Sequence, residues 1–432
     1  FTPHVGGVAR SLERFRGEFR RLGHRDLVVA PTFPLLPEDE VDVVRVPAIQ
    51  HFNGSDFSVR LPIPALLFPT LEQFRPDIVH AHHPFLLGDT ALRIAALNQI
   101  PHVFTHHTLY EQYTHYVPGD SEALKRFVIE LSTGYANLCD GVIAPSESIA
   151  TMLQKRGVTA PITVIPTGVG QEWFVAQDGT TFRKSLGIPP QAFVLGHVGR
   201  LAPEKNLAFM TDAVIHFIQR HKQAHFLLAG TGPFEQEIRD RFKNNGLTDH
   251  FHQIGQVGPG TLVKAYHAMD VFVFASQSET QGMVLTEAMA AGTPVVAVDA
   301  SGVREVIQDR VNGRLLDKEA LEDFSAALSW VFGLSSEERR ALQTAARETA
   351  DQFSITRSAD RVLKLYASLI EQEQIKKKIE DSGWLSLLPL IETEWDLWYN
   401  RAHALHKALT GDGDGSSLRG EEGERKSHDW TD

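Results

Sequence analysis

A single cysteine, Cys139, is all that the 432 residues contain. One thiol builds neither a disulfide framework nor a four-cysteine zinc site, so a stapled secreted domain and a zinc ribbon are both excluded. Long apolar runs are lacking too: none approaches the ~18–20 residues that cross a bilayer. The opening Phe1-Thr-Pro-His-Val-Gly-Gly has neither the basic start nor the apolar stretch of a signal peptide. Basic residues are in deficit, 42 Lys and Arg against 54 Asp and Glu, a formal net charge of -12. That balance argues against broad nucleic-acid binding, which rests on phosphate neutralisation. No Gly-x4-Gly-Lys-Ser/Thr loop and no Gly-x-Ser-x-Gly elbow occurs, leaving P-loop and α/β-hydrolase chemistry without support. What remains is a chain expected to be soluble in a reducing compartment. Its length and 42% hydrophobic content predict two or three cored domains, at about 100–200 residues each.

What is present alternates. Strand-like runs read at 26–31, 41–47, 77–82, 102–107, 141–145 and 162–166, with helical patterns between several of them. A second series begins after the Gly-containing connection 168–178. Its strands read at 193–199, 225–229, 252–257, 270–275, 294–298 and 313–316, again separated by helices. Short β-branched runs alternating with helices predict parallel sheets covered on both faces. Two such halves predict Rossmann-like, doubly wound domains at 1–170 and 171–352, facing a cleft at the carboxyl ends of their strands. C-terminal helices are expected over 353–410 and a disordered tail over 411–432, which is rich in Gly, Asp and Glu. The turn at Gly6-Gly7 leads straight into a helical pattern with no strand feeding it, so the first strand of the first half is expected to be missing.

The densest chemistry lies in Ser278-Glu279-Thr-Gln-Gly282-Met-Val-Leu-Thr-Glu287. A carboxylate follows a strand, a glycine permits close approach, and a helix starts immediately after it. Met283 and Val284 supply amides at the positive end of that helix, a ready anion site. Glu279 is expected at the cleft mouth and Glu287 two turns into the helix, where it could accept from vicinal hydroxyls. A carboxylate on a sugar, amides on a phosphate and a carboxylate on a ribose describe a nucleotide-sugar. Arg200 and Lys205 flank the turn Gly199-Arg-Leu-Ala-Pro-Glu-Lys205, so two cations can face one diphosphate. Histidines cluster at His80, His82 and His83, then at His106 and His107. Closely spaced histidines invite a metal, but no acidic or thiol partner stands at metal-site spacing. The reading adopted is no metal, with one histidine donating to a ligand hydroxyl.

Together these motifs resemble the retaining GT-B glycosyltransferases of glycosyltransferase family four (glycosyltransferase group one). The Glu279…Glu287 string, the Gly199-Arg200…Lys205 turn, Gly6-Gly7 and Ile165-Pro166-Thr-Gly168-Val occur in the family's order, over roughly 1–370. The stretch His107-Thr-Leu-Tyr110-Glu111-Gln-Tyr113-Thr-His115-Tyr116 further resembles bacterial diacylglycerol glucosyltransferases. The resemblance implies a hexosyltransferase that moves a hexose, glucose first, from a nucleoside diphosphate sugar to a hydroxyl acceptor such as diacylglycerol, in glycolipid synthesis. By position it puts His107 beside the donor sugar and Arg200 and Lys205 on the diphosphate. Glu279 falls on the sugar hydroxyls, Glu287 on the ribose and Gly7 by the phosphates. The base is expected near Gln256 and Val257. The donor site is completed by Gly282, Met283 and Val284. No cofactor beyond the nucleotide-sugar, UDP-glucose first, is implied, and catalysis is metal-independent. Alternatives are a soluble or polysaccharide acceptor with a GDP-mannose or UDP-sugar donor, a UDP-sugar epimerase, and a metal-dependent hydrolase. The expected location is cytoplasmic, with peripheral contact at the inner face of the plasma membrane. Arg10, Arg14, Arg20 and Arg21 on the first helix and the Trp384–Trp398 stretch are expected to meet anionic lipid.

Overall fold

The computed structural model describes residues 1–2, 6–33, 36, 39–49, 59–60, 67–116, 121–277, 279–380 and 388–410. The expected tail 411–432 and Trp384 lie outside the described residues, as does Ser278.

The first half runs α1 (Gly7–Arg21), β1 (Val28–Pro31), β2 (Val43–Val46), the short pair β3 (Ala48–Ile49) and β4 (Val59–Arg60), and α2 (Phe68–Phe74). It continues through β5 (Val79–Ala81), α3 (Leu87–Asn98), β6 (His102–Thr105), α4 (Glu122–Asn137), β7 (Gly141–Ala144), α5 (Glu147–Lys155) and β8 (Ile162–Val164). Serines begin two of its helices: Ser121 and Ser146 each accept from the backbone N–H three residues on, at 3.2 and 3.3 Å, satisfying amides that a helix start leaves over. Four strands form a parallel sheet in the order β5-β6-β7-β8. The parallel pair β1-β2 stands as a separate sheet. Residues of β1 and β5 line one cavity.

The second half comprises α6 (Gly179–Ser185), β9 (Phe193–Val198), α7 (Leu207–Arg220), β10 (Ala224–Ala229), α8 (Glu235–Asn244), β11 (Phe251–Gly255), α9 (Pro259–His267), β12 (Val271–Phe274), α10 (Met283–Ala290), β13 (Val295–Val298), β14 (Gly313–Leu316), α11 (Leu321–Phe332) and α12 (Ser336–Gln352). Its sheet is parallel throughout in the order β11-β10-β9-β12-β13-β14. Strands β9, β10, β12 and β13 are buried along their whole lengths, because helices cover both faces. The order reverses between β9 and β12, the switch point where such sheets bind ligands.

The chain crosses between halves twice, and the crossings lie side by side. Val169 N–H donates to Phe353 O at 2.8 Å and Ile355 N–H to Val169 O at 2.9 Å. After the return crossing, α13 (Ile355–Glu380) packs Val362, Leu365, Tyr366 and Leu369 against Phe15, Phe19, Val103 and Ile143 of the first half. Then α14 (Leu388–Thr410) lies on α3 and α4, with Leu397 in that half's core. Among the described residues, no helix is long and apolar enough to cross a membrane.

The arginines of α1 do not form a free basic face. Arg14 reaches Glu287, Arg20 pairs with Asp26 and Asp42, and Arg21 pairs with Glu18 at 2.7 Å. Arg10 lines the cleft. The expected lipid-facing charge is therefore directed inward or paired, because carboxylates lie within reach on α1 itself, on α10 and in the segments following α1.

Candidate active site

A cavity of about 1160 Å3 runs between the halves. At its floor, β9 and β12 end at the switch point, and their following loops bring Lys205 and Glu279 together, Nζ to Oε1, at 2.6 Å. Both side chains are more than four-fifths buried. Burial alone raises the Glu279 carboxyl, but the charge and hydrogen bond of Lys205 overcome it and hold the group below the usual carboxylate range. Arg200, on the same turn as Lys205, lines the cleft more openly, 3.4 Å from Glu204. Two cations and one ionised carboxylate thus converge, as the sequence suggested for Arg200, Lys205 and Glu279.

Gly282 precedes α10 with φ +68°, in the left-handed region that glycine enters without penalty. That turn aims the start of α10 at the cavity, which Met283 and Val284 line. Gly7 starts α1 opposite, so close that an added Cβ would stand 3.3 Å from the Met283 Cε. Gln256 and Val257, following β11, form another part of the wall.

Glu287 is placed differently from the sequence expectation. It is fully buried; Arg14 from α1 pairs with one carboxylate oxygen, and Tyr266 Oη donates to the other at 3.0 Å. It does not line the cavity. Both oxygens have protein partners, one across the domain boundary, and sequence spacing carries no information about either. In this conformation Glu287 fastens α1 to α10 rather than presenting acceptors to a ligand.

From the first half, the ends of β5 and β6 bring histidines to the cleft. His107 Nε2 lies 2.9 Å from His82 Nδ1, and the His82 ring lies 4.0 Å from that of His80. His80 in turn bonds Thr105 Oγ1 at 2.7 Å and Tyr366 of α13. Burial, with the neighbouring His106, pushes His107 down to about 3, so the ring is neutral at physiological pH and one ring nitrogen can donate. Among the described residues, no group of three His, Cys, Asp or Glu is arranged to hold a metal ion.

Sequence reasoning missed the residues that fasten the Glu279 loop. Thr280 Oγ1 donates to His107 O at 3.0 Å, and Ser146 Oγ donates to Thr280 O at 2.8 Å. The Gln281 amide bonds Thr167 both ways, accepting from its N–H at 2.6 Å and donating to its carbonyl at 2.7 Å. His197, on β9 beside Lys205 and Glu279, was also missed; a lone histidine in the apolar run 193–199 was the available signal.

The chain matches the family model Glycosyltransferase Family 4 over residues 5–173 and Glycosyl transferases group 1 over residues 178–349. It is 30% identical over 323 residues to an alpha-monoglucosyldiacylglycerol synthase of Streptococcus pneumoniae, covering 73% of each chain. A protein of the same name from Acholeplasma laidlawii is 26% identical, over 74% of this chain and 83% of that one. A GDP-mannose-dependent alpha-mannosyltransferase of Corynebacterium glutamicum is 26% identical, over 87% and 88%. Among solved structures, Anabaena HepE in complex with UDP-glucose shares the fold, with a TM-score of 0.66 at 20% identity, over 85% of this chain and 97% of that one.

Proposed function

The chain belongs to the group 1 and family 4 glycosyltransferases, and from that premise we propose that it transfers glucose from UDP-glucose to the free hydroxyl of diacylglycerol, with retention at the anomeric carbon. That the protein is a hexosyltransferase with a GT-B fold follows from the family. The donor, the acceptor and the stereochemistry are this proposal's own content. The observation that carries the donor side is the convergence of Arg200, Lys205 and the start of α10 on one cleft, with Glu279 held ionised beside them.

When the bond from the anomeric carbon to the diphosphate breaks, negative charge grows on the leaving oxygen. Arg200, Lys205 and the α10 amides stabilise that charge where it develops. The acceptor oxygen bonds the anomeric carbon from the same face, and its proton passes to the departing phosphate. No side chain is then required as a nucleophile. Neutral His107 donates to a donor hydroxyl, and Glu279 accepts from another. Whether Glu287 reaches the ribose depends on Arg14 releasing it.

The lipid acceptor is supported by the likeness to two proteins named for making alpha-monoglucosyldiacylglycerol. An α-linked product from an α-linked donor is retention. Peripheral contact with a membrane follows from such an acceptor. A second reading, GDP-mannose as donor and a different acceptor, is favoured by the longer match to the mannosyltransferase. A donor-by-acceptor screen read by mass spectrometry decides: glucosyl transfer to diacylglycerol is expected, and mannosyl transfer alone would replace the proposal with the second reading. Activity is expected to persist in EDTA, since two cations and a helix start already face the diphosphate; loss in chelator with rescue by a divalent cation would reverse this.

A further inference from the structure

Helix α14 is apolar on two opposite faces, and only one of them is used. The inner face is locked down: Leu397, Ala404 and Ala408 are buried, and Asn400 Nδ2 donates to Leu131 O at 3.1 Å. Gly134 on α4 makes this approach possible, because a Cβ there would fall 1.7 Å from Asn400 Oδ1. Ion pairs from Glu394 to Arg93, Arg401 to Asp89 and Lys407 to Glu130 fix the flanks. The outer face carries Ile391, Trp395, Trp398, Ala402, Leu405 and Leu409, all exposed. Their spacing of four and three residues puts all six within one narrow stripe at 100° per residue. Trp395 is 72% exposed, Trp398 66% and Leu409 76%.

We propose that this outer stripe of α14 is the surface by which the enzyme seats on a lipid bilayer, a proposal that rests on the lipid-acceptor reading above. Three observations choose that occupant. From Ile391 to Leu409 the stripe is about 27 Å long and about 10 Å wide, far below the ~800 Å2 per partner of a stable protein interface. It spans fewer heptads than the three to four a coiled coil needs. Its centre is two tryptophans with Tyr399 at the edge, the residues that favour the headgroup boundary. The stripe also rides on α3 and α4, and the start of α3 at Leu87 lines the cleft, so a bilayer met here lies against the half expected to take the acceptor.

The charge on α14 sets the kind of binding. Glu392, Glu394 and Asp396 stand against Arg401 and Lys407, leaving no basic excess. Attachment through the stripe is therefore by apolar and aromatic insertion. It differs from attachment through the α1 arginines, of which Arg14, Arg20 and Arg21 are paired with carboxylates and Arg10 lines the cleft, in needing no anionic lipid and in surviving salt.

Co-sedimentation with phosphatidylcholine vesicles, containing neither donor nor acceptor, tests this on the full chain. The protein is expected to pellet with uncharged vesicles and to remain bound at about 1 M salt, where the Debye length is ~3 Å. The double substitution Trp395→Ala, Trp398→Ala is expected to weaken partitioning roughly tenfold or more. Its thermal midpoint and its transfer to a short-chain, water-soluble diacylglycerol should be unchanged, because both side chains are exposed and outside the cleft. A wild-type protein that stays in the supernatant, or a double variant that binds equally well, overturns the proposal. So does a dimer in sedimentation velocity that the double variant splits, which would make the stripe a self-association face. If the vesicles bind but only soluble sugars are glycosylated, the lipid-acceptor reading fails while the stripe stands.

Discussion

Lys205 and Glu279 are the residues whose loss should be felt first. Lys205 holds Glu279 ionised in a mostly buried site, at 2.6 Å. Lys205→Ala removes charge from the developing diphosphate, and Glu279→Gln removes the carboxylate charge that faces the lysine. Losing one preorganised contact of this kind costs ~2.7–4 kcal/mol of transition-state stabilisation, so kcat should fall about 100- to 1000-fold in either variant with the circular dichroism spectrum intact. The double variant should lose less than the sum, because the pair acts as a unit. Near-normal turnover in both single variants would remove the site assignment. His107→Ala should lower transfer as well, by deleting the donor at the cleft wall.

The buried histidines make a second prediction at this scale. Burial, with neighbouring histidines, pushes His80 down to about 3, and burial does the same to His102 and His106; His197 is lowered to about 4. Below about 6.5 the unfolded chain takes up protons that the folded chain refuses until about 3. The unfolded state then binds more protons, so stability falls as pH drops from 6.5 toward 3 and is flat above that window with respect to these groups. Thermal midpoints from pH 7.5 downward check it; a midpoint constant to pH 4.5 would mean that the histidines are accessible.

Among elements, α1 and α10 are joined by the pair Arg14–Glu287, with Arg14 also donating to Gly168 O at 3.2 Å and lying 5.5 Å over the Trp173 ring. Arg14→Ala would leave the fully buried Glu287 carboxylate with Tyr266 alone. Breaking a buried pair by removing one partner costs about 3–5 kcal/mol. A clear drop in thermal midpoint is expected, reversed in part by adding Glu287→Gln; an unchanged midpoint in Arg14→Ala would show the pair to be loose. This contact also marks the limit of what the sequence disclosed. The placement of Glu279, Arg200 and Lys205 at the cleft was legible because each position is set locally, by a strand end and a turn. The role of Glu287 was not, since Arg14 stands 273 positions away and its approach depends on how two domains meet. The same holds for Thr280 and Gln281, whose partners His107 and Thr167 lie more than 100 positions away. Most strands and helices were legible from periodicity, because each half buries them in the usual doubly wound way. The separateness of the β1-β2 sheet was not legible, because strand-like periodicity does not say which strands pair.

For the whole molecule, the two crossings at Gly168–Val169 and Phe353–Ile355 set how the halves close. They are bonded to each other in both directions, the loop 279–281 bonds Thr167 beside them and His107 of the first half, and α1 and α10 meet through Arg14 and Glu287. Closure of this kind excludes water, which would otherwise take the sugar in place of the acceptor. Gly168 is the residue that lets the crossings touch. An added Cβ would lie 2.1 Å from Ile355 Cα and 2.4 Å from its nitrogen, against backbone that has no side chain to swing aside. Gly168→Ala must therefore push the crossings apart, by lengthening the bonds of Val169 to Phe353 and Ile355. The expected outcome is a lower thermal midpoint together with a higher ratio of donor hydrolysis to transfer, measured by following free hexose and glycosylated acceptor in one reaction. Gly23→Ala, at a position with open space around it but φ +88°, serves as the comparison: it strains one local turn, lowers the midpoint, and should leave that ratio alone. An unchanged ratio in Gly168→Ala with the midpoint lowered would place the control of water elsewhere, in the loop 279–281 rather than at the crossings.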